Sequence, residues 1–390
     1  MKTMMDEKKS MWVEYELGEL LSYEQPTPYI VESTDYNDKY KTPVLTAGKS
    51  FILGYTNETN GVYTALPVII FDDFTTASQY VNFEFKVKSS AMKILTPNTE
   101  LVLPKFIYYR MQIIQFDHST HKRYWIQQYS KIKVSIPPIP VQEQIVAKIE
   151  ELFSELDNGV ETLRKTKQQL AVYRQAVLKD AFSQITEKKT IREMSSVVTS
   201  GSRGWAQYYS DHGAEFVRIG NLTRDRIRID LSDIQYVDLP DGAEGKRTQL
   251  QPNDVLVSIT ADLGSIGLVP EDIGEAYVNQ HIAMIRFLYP AQGELMAWYL
   301  RSDYGQKELL KNKRGGGKLG LGLDDIRVSR VPVISDAEAA RIVGNIEARL
   351  SVCDNIEKTV DTALQQAEAM RQSILKEALE GKLQNEHTRE

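Results

Sequence analysis

VQEQIVAKIEELFSELDNGVETLRKTKQQLAVYRQAVLKDAF, residues Val141–Phe182, sets Ile149, Leu156, Leu163, Leu170 and Val177 seven apart, with Ile145, Leu152 and Tyr173 on a companion seam. Apolar residues at that spacing line one face of a helix, and charged and amide side chains fill the other faces. Gly159 is the one glycine in the stretch, and no proline interrupts it. At about 1.5 Å per residue the stretch predicts a rod of roughly 63 Å. A rod of that length needs a partner.

The chain supplies one. Shifted by 197 positions, the pattern returns as Ile346, Cys353, Val360, Ala367 and Ile374, with Ile342, Ile356, Ala363 and Met370 on the companion seam. Tyr173-Arg-Gln-Ala-Val-Leu-Lys-Asp-Ala-Phe182 stands against Met370-Arg-Gln-Ser-Ile-Leu-Lys-Glu-Ala-Leu379, identical at five positions. Identities at one fixed offset of half the chain length signal an internal duplication rather than two unrelated amphipathic helices.

The 390 residues suffice for two or three domains, and 42% hydrophobic and 26% charged residues are ordinary for a globular protein. The single cysteine, Cys353, falls on a seam and reads as a small core residue in a reducing compartment. No signal-peptide run and no apolar stretch of membrane-spanning length is found, so the expected location is the cytoplasm and no membrane partner is expected. Of the net charge of -6, residues 335–390 carry -4 (7 basic against 11 acidic groups). The rest is near neutral, so any affinity for nucleic acid must come from clustered charge.

Before each rod lies a stretch of short apolar runs bounded by turns. In the first, Pro43–Thr46, Ser50–Gly54, Pro67–Phe71 and Tyr80–Val87 read as strands, and Leu103–Ile114 as a helix with Pro104 in its first turn. In the second, Phe216–Gly220, Asp254–Ile259 and His281–Phe287 read as strands and Leu295–Leu300 as a helix. The predicted fold class is α+β. Two mixed, β-rich globular domains are joined by two long helices packed as an antiparallel coiled coil, with a pseudo-two-fold internal repeat. The predicted boundaries are 1–140 for the first head, 141–187 for the central helix, 188–334 for the second head, 335–384 for the C-terminal helix and 385–390 for a tail.

Several local stretches carry a resemblance: Tyr40-Lys-Thr-Pro-Val-Leu-Thr-Ala-Gly48 and Val68-Ile-Ile-Phe-Asp-Asp-Phe74 in the first head, and in the second Ser200-Gly-Ser-Arg-Gly-Trp205, Val217-Arg-Ile-Gly-Asn-Leu222, Asn253-Asp-Val-Leu-Val-Ser-Ile259 and Val278-Asn-Gln-His281. With the repeat of head and rod, nearly the whole chain resembles the specificity subunit of type I restriction–modification systems. At the second rod's entrance Ile334-Ser-Asp-Ala-Glu338 replaces Ile139-Pro-Val-Gln-Glu143 two residues out of step, which leaves the start of that helix open. The resemblance implies two target recognition domains, each reading half of a split, asymmetric site in double-stranded DNA. It implies that the helices set the spacer and dock two modification methyltransferase subunits, to which restriction (translocase/nuclease) subunits add. No cofactor is expected in this chain; S-adenosylmethionine, ATP and Mg would sit on the partner subunits.

The residues themselves offer little catalytic chemistry. Five histidines and one cysteine lack zinc spacing, Gly315-Gly-Gly-Lys318 lacks the frame of a phosphate loop, and Ile136-Pro-Pro-Ile139 is not an amino-methyltransferase motif. Asp262–Gly267 reads as a turn between strands, and Asp72 and Asp73 as a solvated strand end rather than a metal pair. No catalytic and no metal-binding residue is assigned. For DNA contact, Arg203 and Trp205 sit on a glycine-flanked loop. Arg218, Asn221 and Arg224 span a strand end where Arg can read guanine and Asn adenine. Lys311, Lys313, Arg314 and Lys318 surround three glycines suited to close approach to phosphates. His118, His121, Lys122, Arg123 and Tyr124 occupy the matching place in the first head, and Thr46, Lys49 and Thr75 complete the set. Ile149, Leu156, Leu163, Leu170, Val177, Ile346, Val360 and Ile374 are assigned to the seam. Two other classes stay open: a coiled-coil adaptor whose heads bind proteins, and a fused methyltransferase/nuclease with a degenerate site.

Overall fold

A computed structural model of the chain describes residues 12–48, 50–117, 123–201, 203–224, 226–240, 248–311 and 320–382. They form two compact units: Met1–Leu163 with Thr362–Glu390, and Arg164–Asp361. Each unit holds one head and half of each long helix.

In unit 1, β1 (Val13–Glu16), α1 (Leu17–Leu20) and β2 (Leu21–Glu24) open the head. Then come β3 (Thr42–Leu45), β4 (Ile52–Thr56), β5 (Val68–Asp72), β6 (Ser78–Val81), β7 (Lys86–Val87), β8 (Met92–Pro97), α2 (Pro104–Gln112) and β9 (Lys133–Ile136). The first long helix, α3, is Ile139–Phe182. Unit 2 continues with β10 (Lys188–Thr190), α4 (Ile191–Met194), β11 (Ser195–Ser200), β12 (Tyr209–Ser210), β13 (Ala214–Val217) and β14 (Gln235–Val237). β15 (Val255–Ser258), β16 (Ile266–Leu268), β17 (Ala276–Val278), β18 (Ile282–Phe287), α5 (Gly293–Arg301), α6 (Asp303–Leu310), α7 (Leu323–Val328) and β19 (Arg330–Pro332) follow. The second long helix, α8, is Asp336–Leu379.

The two heads share a plan. One four-stranded sheet runs β2-β8-β5-β6 and the other β11-β18-β15-β16. A second sheet, three-stranded in the first head and four-stranded in the second, contains the parallel pair β3–β7 in the one and β13–β17 in the other. In each, the opening strand pairs antiparallel with the strand that leads into the long helix, β1 with β9 and β10 with β19. The expected strand Tyr80–Val87 is two strands, because β6 ends at Val81 and β7 crosses to the other sheet. The loop Asp262–Gly267 does turn between strands, with Gly264 at φ +80. Asp73 corrects the expectation of a solvated strand end. It is buried, pairs with the equally buried Lys93 at 3.3 Å and accepts the Trp125 N–H at 2.8 Å.

Both long helices have 44 residues, and their first and last residues are displaced by the same 197 positions. The irregular entrance therefore does not shift the second helix. Pro140 sits in the first turn of α3, where its missing N–H costs nothing, and Gly381 at φ +76 follows the end of α8. Within each unit the halves run antiparallel. Arg371 meets Asp157 in unit 1, while Lys167, Arg174 and Asp180 meet Asp361, Asp354 and Arg349 in unit 2. The Arg174–Asp354 and Arg371–Asp157 pairs are the same pair displaced by 197 residues, once in each unit.

Ile149, Leu170, Val177, Ile346, Cys353 and Val360 are buried on the seam, and Leu156, Leu163 and Ile374 are half-buried. Each fully buried aliphatic side chain is worth about 1.5–3 kcal/mol. The companion seam is corrected at three positions: Tyr173, Ile356 and Met370 are 43%, 40% and 54% exposed. Two helices cover only one narrow stripe of each other. The buried places next to the seam go instead to Leu178 and Leu375, which pack into the cores shared with the heads. Leu163→Ala is accordingly expected to lower stability by only about 1–2 kcal/mol, with the recognised DNA sequence unchanged. A melting curve and a recognition-site determination on the variant check both halves of that statement.

Polar joints tie heads to helices. Gln142 of α3 is fully buried; its Nε2 donates to Leu101 O at 3.0 Å and Pro137 O at 2.8 Å, and its Oε1 accepts the Leu103 N–H at 2.8 Å. In unit 2 the direction is reversed. Gln292, just before α5, donates to Ile334 O at 3.2 Å and to the Asp336 carboxylate at 2.6 Å.

Candidate nucleic-acid interface

In the second head three of the quoted motifs converge. β13 and β17 are parallel neighbours, so Val217–Leu222 and Val278–His281 leave the sheet side by side, and Asn279 N–H donates to Val217 O at 3.1 Å. Gly201 passes over the same backbone. A Cβ there would lie 1.8 Å from Val278 O, so only glycine fits. That contact brings the Ser200–Trp205 stretch to the ends of both others. Arg218, Gly220, Asn221, Ser232 and Asn279 line a cavity of about 390 Å³ at this point.

The side chains there divide into scaffold and surface. Trp205 is a core residue, stacked on Phe216 at 5.4 Å and edge-on to Tyr277 at 5.3 Å. Burial removes it from the DNA-contacting set, and it fixes the loop that carries the exposed Arg203, with Gly204 between them at φ +83. Asn221 is also corrected. It is buried, accepts the Arg218 N–H at 2.8 Å and donates to Asp230 O at 2.8 Å and Asp233 O at 3.2 Å. Its amide shapes the cavity wall instead of reading a base. Arg218 is half-buried at the cavity. Arg224 is exposed but engaged with Asp262, Nη2 to Oδ1 at 2.5 Å, and that bond holds the Asp262 carboxyl below its ordinary range. Lys311 is exposed and paired with Glu308 at 2.7 Å.

In the first head, Thr75 lies exposed in the turn after β5, where its N–H and that of Phe74 both donate to Asp72 Oδ1 at 2.9 Å. Arg123 is exposed with its guanidinium 5.9 Å from the Phe74 ring, so Arg123, Phe74 and Thr75 share one surface. Tyr124 is the third correction. It is fully buried, 4.9 Å from Phe116, and its N–H bonds Asp73 O at 2.9 Å. Thr46 is half-buried and its Oγ1 accepts the Gly48 N–H at 3.2 Å, closing a turn. Lys49, His118, His121, Lys122, Lys313, Arg314 and Lys318 lie outside the described residues. Phe74 and Asn279 were missed as candidates. Asn279 stood in a quoted motif, but only the parallel pairing of β13 with β17 reveals its place.

Two heads that share the order of one four-stranded sheet, carry unlike polar loops and each pack on part of a duplicated pair of helices fit a two-headed recognition scaffold. Comparison with known proteins narrows the class. Residues 9–170 match the type I restriction modification DNA specificity domain. Over 351 residues the chain is 31% identical to the EcoR124I/EcoR124II specificity subunit of Escherichia coli, covering 84% of both chains. It is 26% identical over 282 residues to the Escherichia coli EcoBI specificity subunit, covering 64% of this chain and 58% of that one.

Among solved structures, a chain of a type I restriction–modification system studied for its complex assembly and conformational transition superposes with a TM-score of 0.71 at 14% identity, over 95% of this chain and 98% of that one. The HsdS subunit from Thermoanaerobacter tengcongensis gives 0.52 at 14%, over 96% and 97%. These two likenesses concern the fold. The chain belongs to the family of type I restriction enzyme specificity subunits. It is a DNA sequence-recognition subunit, and not itself an enzyme. Among the described residues no helix is long and apolar enough to cross a membrane.

Proposed function

We propose that each head reads one half of a split, asymmetric site in double-stranded DNA, and that the long helices set the unread spacing. The observation that carries this reading is the pairing of a sheet order common to both heads with unlike loops on helices of equal length. A common frame fixes spacing while differing loops give the two halves different sequences. Arg203, Arg218, Arg224 and Lys311 in the second head, and Arg123 and Thr75 in the first, are the described candidates that remain at the surface or cavity. In this reading the helices also hold two modification methyltransferase subunits, to which restriction subunits add. S-adenosylmethionine, ATP and Mg belong to those partners, and the complex works in the cytoplasm.

The test is a methylation map of DNA from cells expressing the cognate methyltransferase, with and without this chain. A split, asymmetric methylated motif seen only with the chain is the expected result. Methylation that does not depend on the chain would turn the reading toward a coiled-coil adaptor, and methyl transfer by the purified chain alone would favour an enzyme.

A further inference from the structure

The turn between β17 and β18 carries a row of polar side chains beside the cavity of the second head. Ile282 N–H closes the turn on Asn279 O at 3.2 Å, and Asn279 Oδ1 accepts the His281 N–H at 3.1 Å. The pairing of β15 with β18 runs on past Ser258 and Ile282, since Ile259 N–H donates to His281 O at 2.9 Å. Thr260 therefore stands next to the turn. The His281 ring lies between two side chains, with Nδ1 2.8 Å from Thr260 Oγ1 and Nε2 2.9 Å from Gln280 Nε2.

One arrangement of protons satisfies that row. An amide nitrogen only donates, so the His281 Nε2 it meets is bare, and the ring carries its proton on Nδ1 and donates it to Thr260 Oγ1. The tautomer in turn fixes the Gln280 amide, because its oxygen cannot face a bare nitrogen. One N–H of the amide is used on His281. The other N–H and Oε1 form an adjacent donor and acceptor, and among the described residues no hydrogen bond engages either.

Gln142 and Asn221, by contrast, use both ends of their amides on backbone groups. Gln280 is half-buried and adjoins Asn279, which lines the cavity and lies under the Gly201 crossing. A long side chain near a surface ordinarily keeps its rotamer freedom. Here one is oriented in advance with its outer edge open, which lowers the entropy lost when that edge is bound.

We propose, on the reading that each head recognises half of a split site, that Gln280 reads a base in the half taken by the second head. Its open edge matches adenine in the major groove, with Oε1 accepting from N6 and the second Nε2–H donating to N7. His281, braced by Thr260, is a positioning residue that keeps the amide from turning over. Turned over, the edge presents donor and acceptor in exchanged places and no longer matches adenine.

Methylation maps from cells expressing the cognate methyltransferase with the unaltered chain or a variant, together with melting curves of each purified chain, supply the test. Gln280→Ala should keep the first half-site, the spacing and the remaining bases of the second half-site, while the preference for A·T at one position falls about tenfold or more. Gln280→Glu is nearly isosteric but has no N–H to donate. It should relax the same position, and it carries the test if alanine impairs folding. His281→Phe keeps a flat ring without either nitrogen and should relax that position too, with the rest of the motif retained. A residue that only supported the fold would instead lower the melting temperature and weaken every position alike. A folded Gln280→Ala chain that retains the parent motif in full, or loses all its positions equally, overturns the proposal and leaves the two-head reading standing. An unaltered chain that directs no split motif overturns both.

Discussion

Arg286→Met is expected to cost the second head about 3–5 kcal/mol. Arg286 of β18 reaches Asp254, the residue just before β15, with Nη2 to Oδ2 at 2.6 Å and Nε to Oδ1 at 2.9 Å. The Asp254 side chain is 1% exposed, and besides Arg286 it accepts the Gln251 N–H at 2.8 Å. Burial already raises its affinity for a proton, and the bonds from Arg286 pull the other way. Methionine keeps most of the packing volume and removes the opposing charge, so the carboxylate is left buried without a counter-ion.

That origin has a pH signature. A carboxyl whose folded pKa is raised weakens the fold above that value, and the loss shrinks as pH falls toward the ordinary carboxylate range. Urea midpoints of the variant and the parent should therefore converge on acidification. A loss below about 1 kcal/mol, or one of the same size in acid, would show that the ion pair is not what the methionine disturbed. The buried Lys93–Asp73 pair gives the first head a comparable cross-strand bridge.

Gln142→Leu should be nearly as damaging, on the order of 3 kcal/mol or more, although leucine is a better helix former and about the same size. The substitution leaves Leu103 N–H, Leu101 O and Pro137 O without the amide that serves all three. Buried backbone groups that lose their partner retain the full cost of leaving water. The loss should be local. Hydrogen exchange should quicken in residues 101–112 and at the start of α3, while residues 293–301 keep their protection. Uniform loosening of both units would contradict the role of Gln142 as a joint of one head.

Much of this arrangement was legible in the sequence, and the boundary of what was legible is physical. The long helices and their 197-residue displacement rest on apolar residues seven apart, a local period that needs no knowledge of the partner. The shared order of the heads followed from the repeat, although the short strands did not reveal which sheet each would join. What failed depended on a third body. Tyr173 and Leu178 are both apolar residues beside the seam, yet one is exposed and the other sealed against the head.

Side-chain type misled in the same way at the candidate interface. Trp205, Tyr124 and Asn221 can stack, donate or accept toward DNA, but those properties also build an aromatic core and brace a turn. The joint at Gln142 was invisible because it depends on one polar side chain meeting distant backbone groups, with no period to announce it.

The division of the helices between the units reverses the order in which the heads can be completed. On the ribosome, the first head is made early, but its core also includes Leu375, Ala378 and Leu379, which belong to the last turns of α8. The first head must wait until residues 375–379 have been made before those three side chains can close it. A chain cut short between Asp361 and Leu375 would therefore strip the cover from the first head while sparing the residues of α8 that serve the second.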